Sequence, residues 1–385
     1  MEEKRRTRSG GPAQYSEGLT SLRRKSKSPA KRQKTSEKAT PKGEKKAKEK
    51  NEPKPMETTT ETNVESKDDS AIADAAATEG KDNMGSGDGD APDLTPITIA
   101  KWLESNANSF LPPVCNKMMH GDGQLKIMYI GGPNQRRDFH IEPGEEFFHM
   151  VKGDMCLKIL EKGQPKDVHI KEGEVFVLPG RIPHSPQRDA NTVGLVIERE
   201  RNEKEIDGLR FYCDDGVTIL YEEWFHCTDL GTQIAPVIKR FQESEQCKTG
   251  KPAENGKQTE PPPLIQDMET EVDAPFSLKE WLENNKDDLN KTGSKELFGK
   301  AEFKITVTSA GTNEYPANAG ETFLWQLKGE SSISCGTAKP TILTAGQVLL
   351  LAESTSLDKY TVVGKDDSQL VVFRNSATAA ATKEG

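Results

Sequence analysis

Apolar and polar positions alternate in short runs between residue 97 and about residue 248, and Gly or Pro closes most of the runs. The runs include LKIMYIGG, EEFFHMVKGD, MCLKILEKG, GEVFVLPG and VGLVIERE. Such alternation over about four to eight residues between turn signals is typical of half-buried strands. The sequence therefore predicts a mainly β chain that forms an antiparallel barrel or sandwich.

The same pattern occurs a second time after a segment rich in Pro, Gly and charge. ITIAKWLESN at 97–106 is echoed by FSLKEWLENN at 276–285. GEEFFHMVKGD at 144–154 is echoed by GETFLWQLKGE, and EGEVFVLP at 172–179 by AGQVLLLA. Three echoes in the same order indicate two copies of one β-barrel domain. We expect the first copy at residues 94–253, a linker at 254–272 and the second copy at 273–385.

Residues 1–93 have a different composition, with few aromatic residues. Residues 1–56 carry 18 Lys/Arg against 7 Asp/Glu, whereas residues 57–93 carry 2 against 11. Such a segment cannot bury enough apolar surface to offset its loss of conformational entropy, so we expect a disordered extension. Its basic run RRKSKSPAKRQK is typical of a nuclear-localisation or nucleic-acid-binding patch, and equally of a solvated tail without a dedicated partner.

Cysteine usage and hydropathy limit the class of protein. The six cysteines are scattered without CxxC spacing, which argues against a zinc knuckle, a rubredoxin-like site or a disulfide framework. There is no apolar run of about 18 residues, so we expect no membrane span, and the N-terminus lacks the apolar core of a secretory signal. These features favour a reducing compartment, with the cytosol as the default, and the basic run leaves a nuclear address open.

The first copy holds a group of candidate metal ligands. His140 precedes a Pro-Gly turn, Glu146 lies on the strand that follows, and His184 follows the run GEVFVLPGRIP. Two His and one carboxylate from neighbouring strands can occupy one face of an octahedral metal, which suits non-haem Fe(II) with positions open for substrate and dioxygen. Glu145 is an alternative to Glu146, and we expect His149 to face away and pack. Three other histidines have polar neighbours and are predicted to be solvent-exposed: His120, His169 and His226.

The spacing around these ligands resembles the two motifs of the cupins, which are double-stranded β-helix or jelly-roll barrels. There are departures, because Asp138 stands where the motif has its first His, and Arg181 and Arg188 replace a Gly and an Asn. GGPNQRRDFHIEPGEE, LPGRIPHSPQR, NTVGLVIERE, DGLRFYC and DLGTQIAP are together similar to the 3-hydroxyanthranilate 3,4-dioxygenase family, over roughly residues 94–378. The resemblance implies two cupin barrels in one chain and an Fe(II) cofactor held by His140, Glu146 and His184.

The resemblance also implies roles for further residues. Arg188 and Glu198 match the positions that bind the substrate's carboxylate and amino groups, and Glu146 borders the same site. Arg136 matches the position associated with bound dioxygen, so Arg136 and Glu198 are the implied catalytic residues. A guanidinium can grip a carboxylate bidentately, and a carboxylate can accept a proton from the substrate. The alternatives are that both arginines are surface charges and that Glu198 is a salt-bridged strand end.

The implied reaction cleaves 3-hydroxyanthranilate with dioxygen to 2-amino-3-carboxymuconate semialdehyde. This product is the precursor of quinolinate in the kynurenine route from tryptophan to NAD, and family members with two fused cupins are expected to be monomers. A competing hypothesis from another class is a nuclear interaction protein, in which the cupin is only a scaffold. Its basic tail would then bind nucleic acid or a partner; otherwise we expect no nucleic-acid partner.

The second copy lacks the candidate ligands. Pro316, Thr322 and a residue near Leu357 occupy the positions that correspond to His140, Glu146 and His184. We therefore predict a metal-free second barrel with a structural role. It would cover the catalytic barrel in place of the partner subunit that a single cupin needs.

Overall fold

The computed structural model describes residues 94–112, 114–252, 261–298, 302–337 and 339–375. The predicted disordered extension and its basic run at 23–34 lie outside these residues. All described residues belong to one compact unit. Within them the strands form four antiparallel sheets, two for each barrel, so the prediction of a mainly β chain with two jelly-roll barrels is confirmed.

The first barrel consists of two facing sheets. Its region begins with β1 (Ile97–Thr98), α1 (Ile99–Ser105) and a 3-10 helix (Ala107–Phe110), and ends with α2 (Leu230–Glu243) and α3 (Glu245–Thr249). The strands between them are β2 (Asn116–His120), β3 (Leu125–Gly131), β4 (Phe139–Ile141), β5 (Glu146–Lys152), β6 (Met155–Glu161), β7 (Gln164–Ile170), β8 (Glu174–Leu178), β9 (His184–Arg188), β10 (Val193–Arg199), β11 (Asp207–Tyr212) and β12 (Ile219–Phe225). The strand orders of the two sheets are β8-β5-β10-β3-β2 and β12-β11-β4-β9-β6-β7.

The second barrel repeats this plan. Its region begins with β13 (Phe276–Ser277), α4 (Leu278–Asn284) and α5 (Lys286–Thr292). The strands that follow are β14 (Ser294–Glu296), β15 (Phe303–Thr308), β16 (Gly311–Pro316), β17 (Thr322–Lys328), β18 (Glu330–Cys335), β19 (Thr341–Thr344), β20 (Gln347–Leu351), β21 (Lys359–Gly364) and β22 (Gln369–Asn375). The strand orders of its two sheets are β20-β17-β22-β15-β14 and β16-β21-β18-β19.

The two copies exchange their first strands. β1 pairs with β20 of the second barrel, and β13 pairs with β8 of the first. The exchange continues one residue further, since Ile99 N–H donates to Gly346 O at 3.0 Å and Leu278 N–H donates to Gly173 O at 3.1 Å. A reciprocal exchange of this kind is the arrangement expected at an isologous interface between two like domains.

The central strands β5 and β17 are buried on both faces. On β5, Phe148 and Met150 point into the first barrel, whereas Phe147 points toward the second barrel. The outward faces of the two sheets pack against each other and form one apolar core that contains residues of both copies. Full burial of one such side chain contributes about 1.5–3 kcal/mol, so this interface is a main source of stability.

The same turn recurs in both barrels. Gly153 between β5 and β6 and Gly329 between β17 and β18 both have φ of +67°. Glycine adopts this left-handed conformation without the steric cost that a Cβ atom would add. The echoed Lys-Gly dipeptides of the sequence therefore mark equivalent hairpins.

Candidate active site

The two candidate histidine ligands lie on adjacent strands of the first barrel. His140 on β4 is directly opposite His184, the first residue of β9, and their ring centroids are 5.3 Å apart. Glu146 begins β5 in the facing sheet, and its Oε1 lies 3.4 Å from His184 Nε2. All three side chains are buried in the barrel. The fold thus brings together the three residues that the spacing singled out.

A fourth buried side chain, Glu142, lies in the same cluster. One donor atom from each of His140, Glu142, Glu146 and His184 falls within 4.8 Å of the others. Glu142 Oε2 accepts a hydrogen bond from Arg201, whereas Glu142 Oε1 is buried without a partner among the described residues. An unpaired buried carboxylate oxygen is costly unless a cation or donor satisfies it. Two imidazoles and two carboxylates therefore fit a divalent metal ion.

A carboxylate supports the first histidine. His140 Nε2 and Asp207 Oδ2 are 2.9 Å apart, and Asp207 is fully buried at the start of β11. A carboxylate on one ring nitrogen fixes the orientation of a metal-binding histidine. Burial lowers the pKa of His140, although Asp207 acts in the opposite direction. The imidazole is therefore held in the neutral form that binds metal.

Arg201 connects the candidate ligands to Glu198. Its guanidinium donates to Glu198 Oε2 at 2.6 Å, to Asp207 Oδ2 at 3.0 Å and to Glu142. Burial, together with the nearby Glu146 and Asp207 carboxylates, raises the pKa of Glu198, while the Lys126 ammonium acts against this rise. The contact of Glu198 with Arg201 is a buried ion pair. Glu198 is thus both an interior carboxylate beside the cluster and the salt-bridged residue of the alternative hypothesis.

The charges of Glu146 and His184 depend on each other. Burial alone would raise the pKa of Glu146, but the neighbouring His184 and Arg136 hold it below its usual value. Burial alone would lower the pKa of His184, but Glu146 keeps it above its usual value. Glu146 and His184 therefore favour each other's charged forms across their 3.4 Å contact.

The two arginines flank the ligands, and Arg188 is buried while Arg136 is half-buried. Arg188 ends β9, and its Nε donates to Gly131 O at 2.7 Å. Burial and the repulsion from Arg136 lower the pKa of Arg188 to about 10. Arg136 is paired with Asp138, the residue that departs from the cupin motif, at 3.1 Å between Nε and Oδ2. This burial argues against the alternative that both are surface charges.

A glutamine of β9 fixes the backbone of Arg136. Gln187 Oε1 accepts from Arg136 N–H at 3.1 Å, and Gln187 Nε2 donates to Arg136 O at 2.9 Å. Because Gln187 lies between His184 and Arg188 in sequence, one short strand positions a candidate ligand and both arginines.

Comparison with known proteins decides the family. A family model described as 3-hydroxyanthranilic acid dioxygenase matches residues 92–242. The 3-hydroxyanthranilate 3,4-dioxygenase of Xenopus tropicalis is 48% identical over 261 residues, which cover 68% of this chain and 92% of that protein. The protein of the same name from Nematostella vectensis is 57% identical over 61% of this chain and 84% of its own length, and the one from Homo sapiens is 46% identical over 66% and 89%.

The chain belongs to the 3-hydroxyanthranilate 3,4-dioxygenase family. The resemblance inferred from the motifs is confirmed, and with it the prediction that the protein is an enzyme. Among solved structures, the salicylate 1,2-dioxygenase of Pseudaminobacter salicylatoxidans aligns over 78% of this chain and 89% of its own, with 13% identity and a TM-score of 0.45.

The remaining candidates of the first barrel lie away from the cluster. Glu145 accepts a hydrogen bond from Phe303 N–H at 3.1 Å, so it is directed at the second barrel. His149 packs on Trp325 with ring centroids 4.9 Å apart, as its position on the strand predicts. Of the three histidines predicted to be solvent-exposed, His169 is exposed, so the prediction holds for it. The prediction is wrong for His120 and His226, which are half-buried.

The second barrel has other side chains at the ligand positions. Thr322 begins β17 opposite Leu351, as Glu146 begins β5 opposite Leu178. Pro316 lies opposite Lys359, as His140 lies opposite His184. The counterpart of His184 is therefore Lys359, two residues after the approximate position at Leu357, because the β20–β21 connection is two residues longer than the β8–β9 connection.

Proposed function

We propose that this protein is an Fe(II)-dependent 3-hydroxyanthranilate 3,4-dioxygenase whose active site lies in the first barrel. The observation that carries the proposal is the buried cluster of His140, Glu146 and His184 with Arg136 and Arg188 beside it. Family membership favours the same activity. The product would be 2-amino-3-carboxymuconate semialdehyde, with both oxygen atoms of dioxygen retained in it.

His140, Glu146 and His184 would hold the iron, with Glu142 as the nearest further oxygen donor. Iron(II) bound by two neutral imidazoles and a carboxylate supplies open coordination positions at which an aminophenol and dioxygen can meet. Asp207 orients the His140 ring through the 2.9 Å contact.

Arg188 would bind the carboxylate of the substrate. Its Nε is anchored on Gly131 O, and its two terminal nitrogens have no hydrogen-bond partner in the described part of the chain. Those nitrogens can donate two parallel hydrogen bonds to a carboxylate. Since Arg188 is buried, a bound carboxylate would also compensate its charge, which favours a carboxylated ring as substrate.

Glu198 and Arg136 would assist the reaction. The raised pKa of Glu198, caused by burial and nearby carboxylates, brings it closer to the range in which a side chain accepts a proton from the substrate's amine or hydroxyl and later returns it. The Arg136 guanidinium, which Asp138 orients while Gln187 holds the Arg136 backbone, would stabilise negative charge that develops on dioxygen.

The proposal includes the setting of the reaction. Family membership favours the kynurenine route to quinolinate and NAD as this setting, and we propose a monomer that works in the cytosol. None of the helices in the described residues is long and apolar enough to cross a membrane.

Oxygen uptake by the purified, Fe(II)-loaded full-length protein tests the proposal. We expect uptake with 3-hydroxyanthranilate that matches ring opening, and at least about a thousandfold less in His184→Ala. The matched control is Lys359→Ala, the equivalent position of the second barrel, which should retain wild-type uptake and iron content. Iron binding without uptake would reject the substrate, and absence of iron from the wild-type protein would reject the centre.

Arg188→Lys tests the assignment of the carboxylate site. A lysine cannot form the bidentate pair, so kcat/KM should fall by about a hundredfold, mainly through KM. An unchanged KM would place the substrate carboxylate elsewhere.

The alternative of a nuclear scaffold protein depends on the basic run at 23–34, which lies outside the described residues. The buried ligand cluster favours the enzyme, because a scaffold has no need for charged groups in a barrel interior.

A further inference from the structure

A second group of metal-ligand side chains lies on the outer face of the first barrel. Cys156 on β6 is directly opposite His169 on β7, and Asp167 lies two residues before His169 on the same face of that strand. One donor atom from each of the three side chains lies within 4.8 Å of the others. Cys156 is half-buried, and the other two are exposed. The strand register therefore preforms a three-donor cluster.

This cluster is separate from the candidate active site. The neighbours of Cys156 on β6, Met155 and Leu157, are buried in the interior of the barrel. Successive side chains of a strand point to opposite faces, so Cys156 points outward. Ile159, an interior residue of β6, lies opposite His184 of β9. The candidate active-site ligands are therefore on the inner face of this sheet, and Cys156 is on its outer face.

We propose that Cys156, Asp167 and His169 bind a zinc-class divalent cation. A thiolate, an imidazole and a carboxylate are the three side-chain ligand types of tetrahedral zinc, and water would complete the coordination. The thiolate favours a borderline or soft cation over Mg²⁺ or Ca²⁺. An exposed site with three protein ligands remains accessible to metal from solution.

Charge at the site affects its affinity in two directions. Burial and Asp167 raise the pKa of Cys156, so the free side chain is a thiol and metal binding releases its proton to solvent. Lys158 lies opposite Asp167 and lowers the pKa of Cys156, so it favours the thiolate. The positive charge of Lys158 also repels a bound cation.

Anaerobic titration of the Fe(II)-loaded full-length protein with Co²⁺ tests the site. A thiolate-to-cobalt charge-transfer band in the near ultraviolet reports a cysteine ligand, and the candidate active site contains no cysteine. We expect a saturable band at one equivalent, which Zn²⁺ abolishes. The band should disappear in Cys156→Ser and persist in His184→Ala.

Variants of the neighbouring ligands separate a three-donor site from a lone thiol. His169→Gln and Asp167→Asn should each weaken Co²⁺ binding by about tenfold or more, whereas Cys213→Ser should leave it unchanged. If His169→Gln binds Co²⁺ with the wild-type affinity, the site is only a reactive thiol and the proposal is rejected. A band that persists in Cys156→Ser, or no saturable band in the wild-type protein, would reject it as well. None of these outcomes depends on the reaction catalysed.

Discussion

The two barrels share a topology but differ in what fills their interiors. Glu145 of the first barrel accepts the N–H of Phe303 at 3.1 Å, and Glu321 of the second accepts the N–H of Leu125 at 2.8 Å. Leu125 and Phe303 are the first residues of the equivalent strands β3 and β15. The hydrogen bonds that join the barrels are thus reciprocal, like the exchanged first strands.

The interiors show which residues the fold requires. The first barrel buries the ligand cluster and Arg201, whereas the core of the second contains apolar side chains such as Leu324, Ile333 and Tyr360. The equivalent strand pairs also differ in charge: Lys126 on β3 lies opposite Glu198, whereas Lys304 on β15 lies opposite Arg374. Since the second barrel folds without the ligand cluster, the buried charges of the first are not needed for the topology. Burying these charges costs desolvation free energy, and their presence is explained by function.

The largest expected effect follows from removal of the second barrel. A chain that ends at residue 272 loses β13 from the edge of the first sheet and exposes Phe147, Leu195 and their neighbours. At about 2 kcal/mol for each exposed side chain, the loss approaches the whole stability of a typical domain. We expect aggregation or a strongly lowered Tm in size-exclusion chromatography and calorimetry.

Co-expression of residues 273–385 as a separate chain is the control for this truncation, and it should restore solubility. If the truncated chain alone keeps wild-type solubility and melting behaviour, the second barrel has no structural role in the first.

The next largest effect concerns the buried charges. Arg201→Met leaves the carboxylates of Glu142, Glu198 and Asp207 without their shared cation, so the free energy of unfolding should fall by about 4 kcal/mol. The matched control in the second barrel is Arg374→Met. Arg374 stacks over Tyr315 at 6.0 Å, and its loss should cost about 1 kcal/mol. Equal losses in urea denaturation would contradict the contrast between the interiors.

The Arg201 network also shows what the sequence could not predict. The repeat, the barrels and the three candidate ligands His140, Glu146 and His184 follow from local periodicity and motif spacing. Glu142 and Asp207 contact Arg201 and His140 only after the barrel has brought β4, β11 and the end of β10 together. No period or motif in one strand encodes such a contact, although the segment DGLRFYC already contained Asp207.

The two-residue offset in the counterpart of His184 has a different physical origin. The β20–β21 connection is two residues longer than its equivalent, and a direct alignment of the repeats places Leu357 where the paired strand places Lys359. Strand register depends on hydrogen-bond pairing across the sheet, which the spacing of a single motif does not fix.

A smaller effect should appear as pH dependence at the interface. Burial lowers the pKa of His149 to about 4, while an unfolded histidine titrates near 6.5. The unfolded state therefore binds more protons between these values, so stability decreases as pH falls from about 6.5 toward 4, by up to about 3 kcal/mol. His149→Phe keeps a ring against Trp325. In urea denaturation at several pH values, it should remove this part of the dependence of the free energy of unfolding on pH. His169→Phe, at an exposed site, should keep it, and an unchanged slope in His149→Phe would contradict the assignment.

The smallest effect should be the same in both barrels. Glu321→Ala leaves the buried N–H of Leu125 without its acceptor, and Glu145→Ala does the same to Phe303. Each should lower the free energy of unfolding by about 1–3 kcal/mol, because a buried donor then loses its hydrogen bond. If the interface is symmetric in energy as well as in geometry, the two losses agree within about 0.5 kcal/mol. A large loss in only one variant would show that one barrel dominates the interface, and the reciprocal hydrogen bonds would then be a remnant of the duplication.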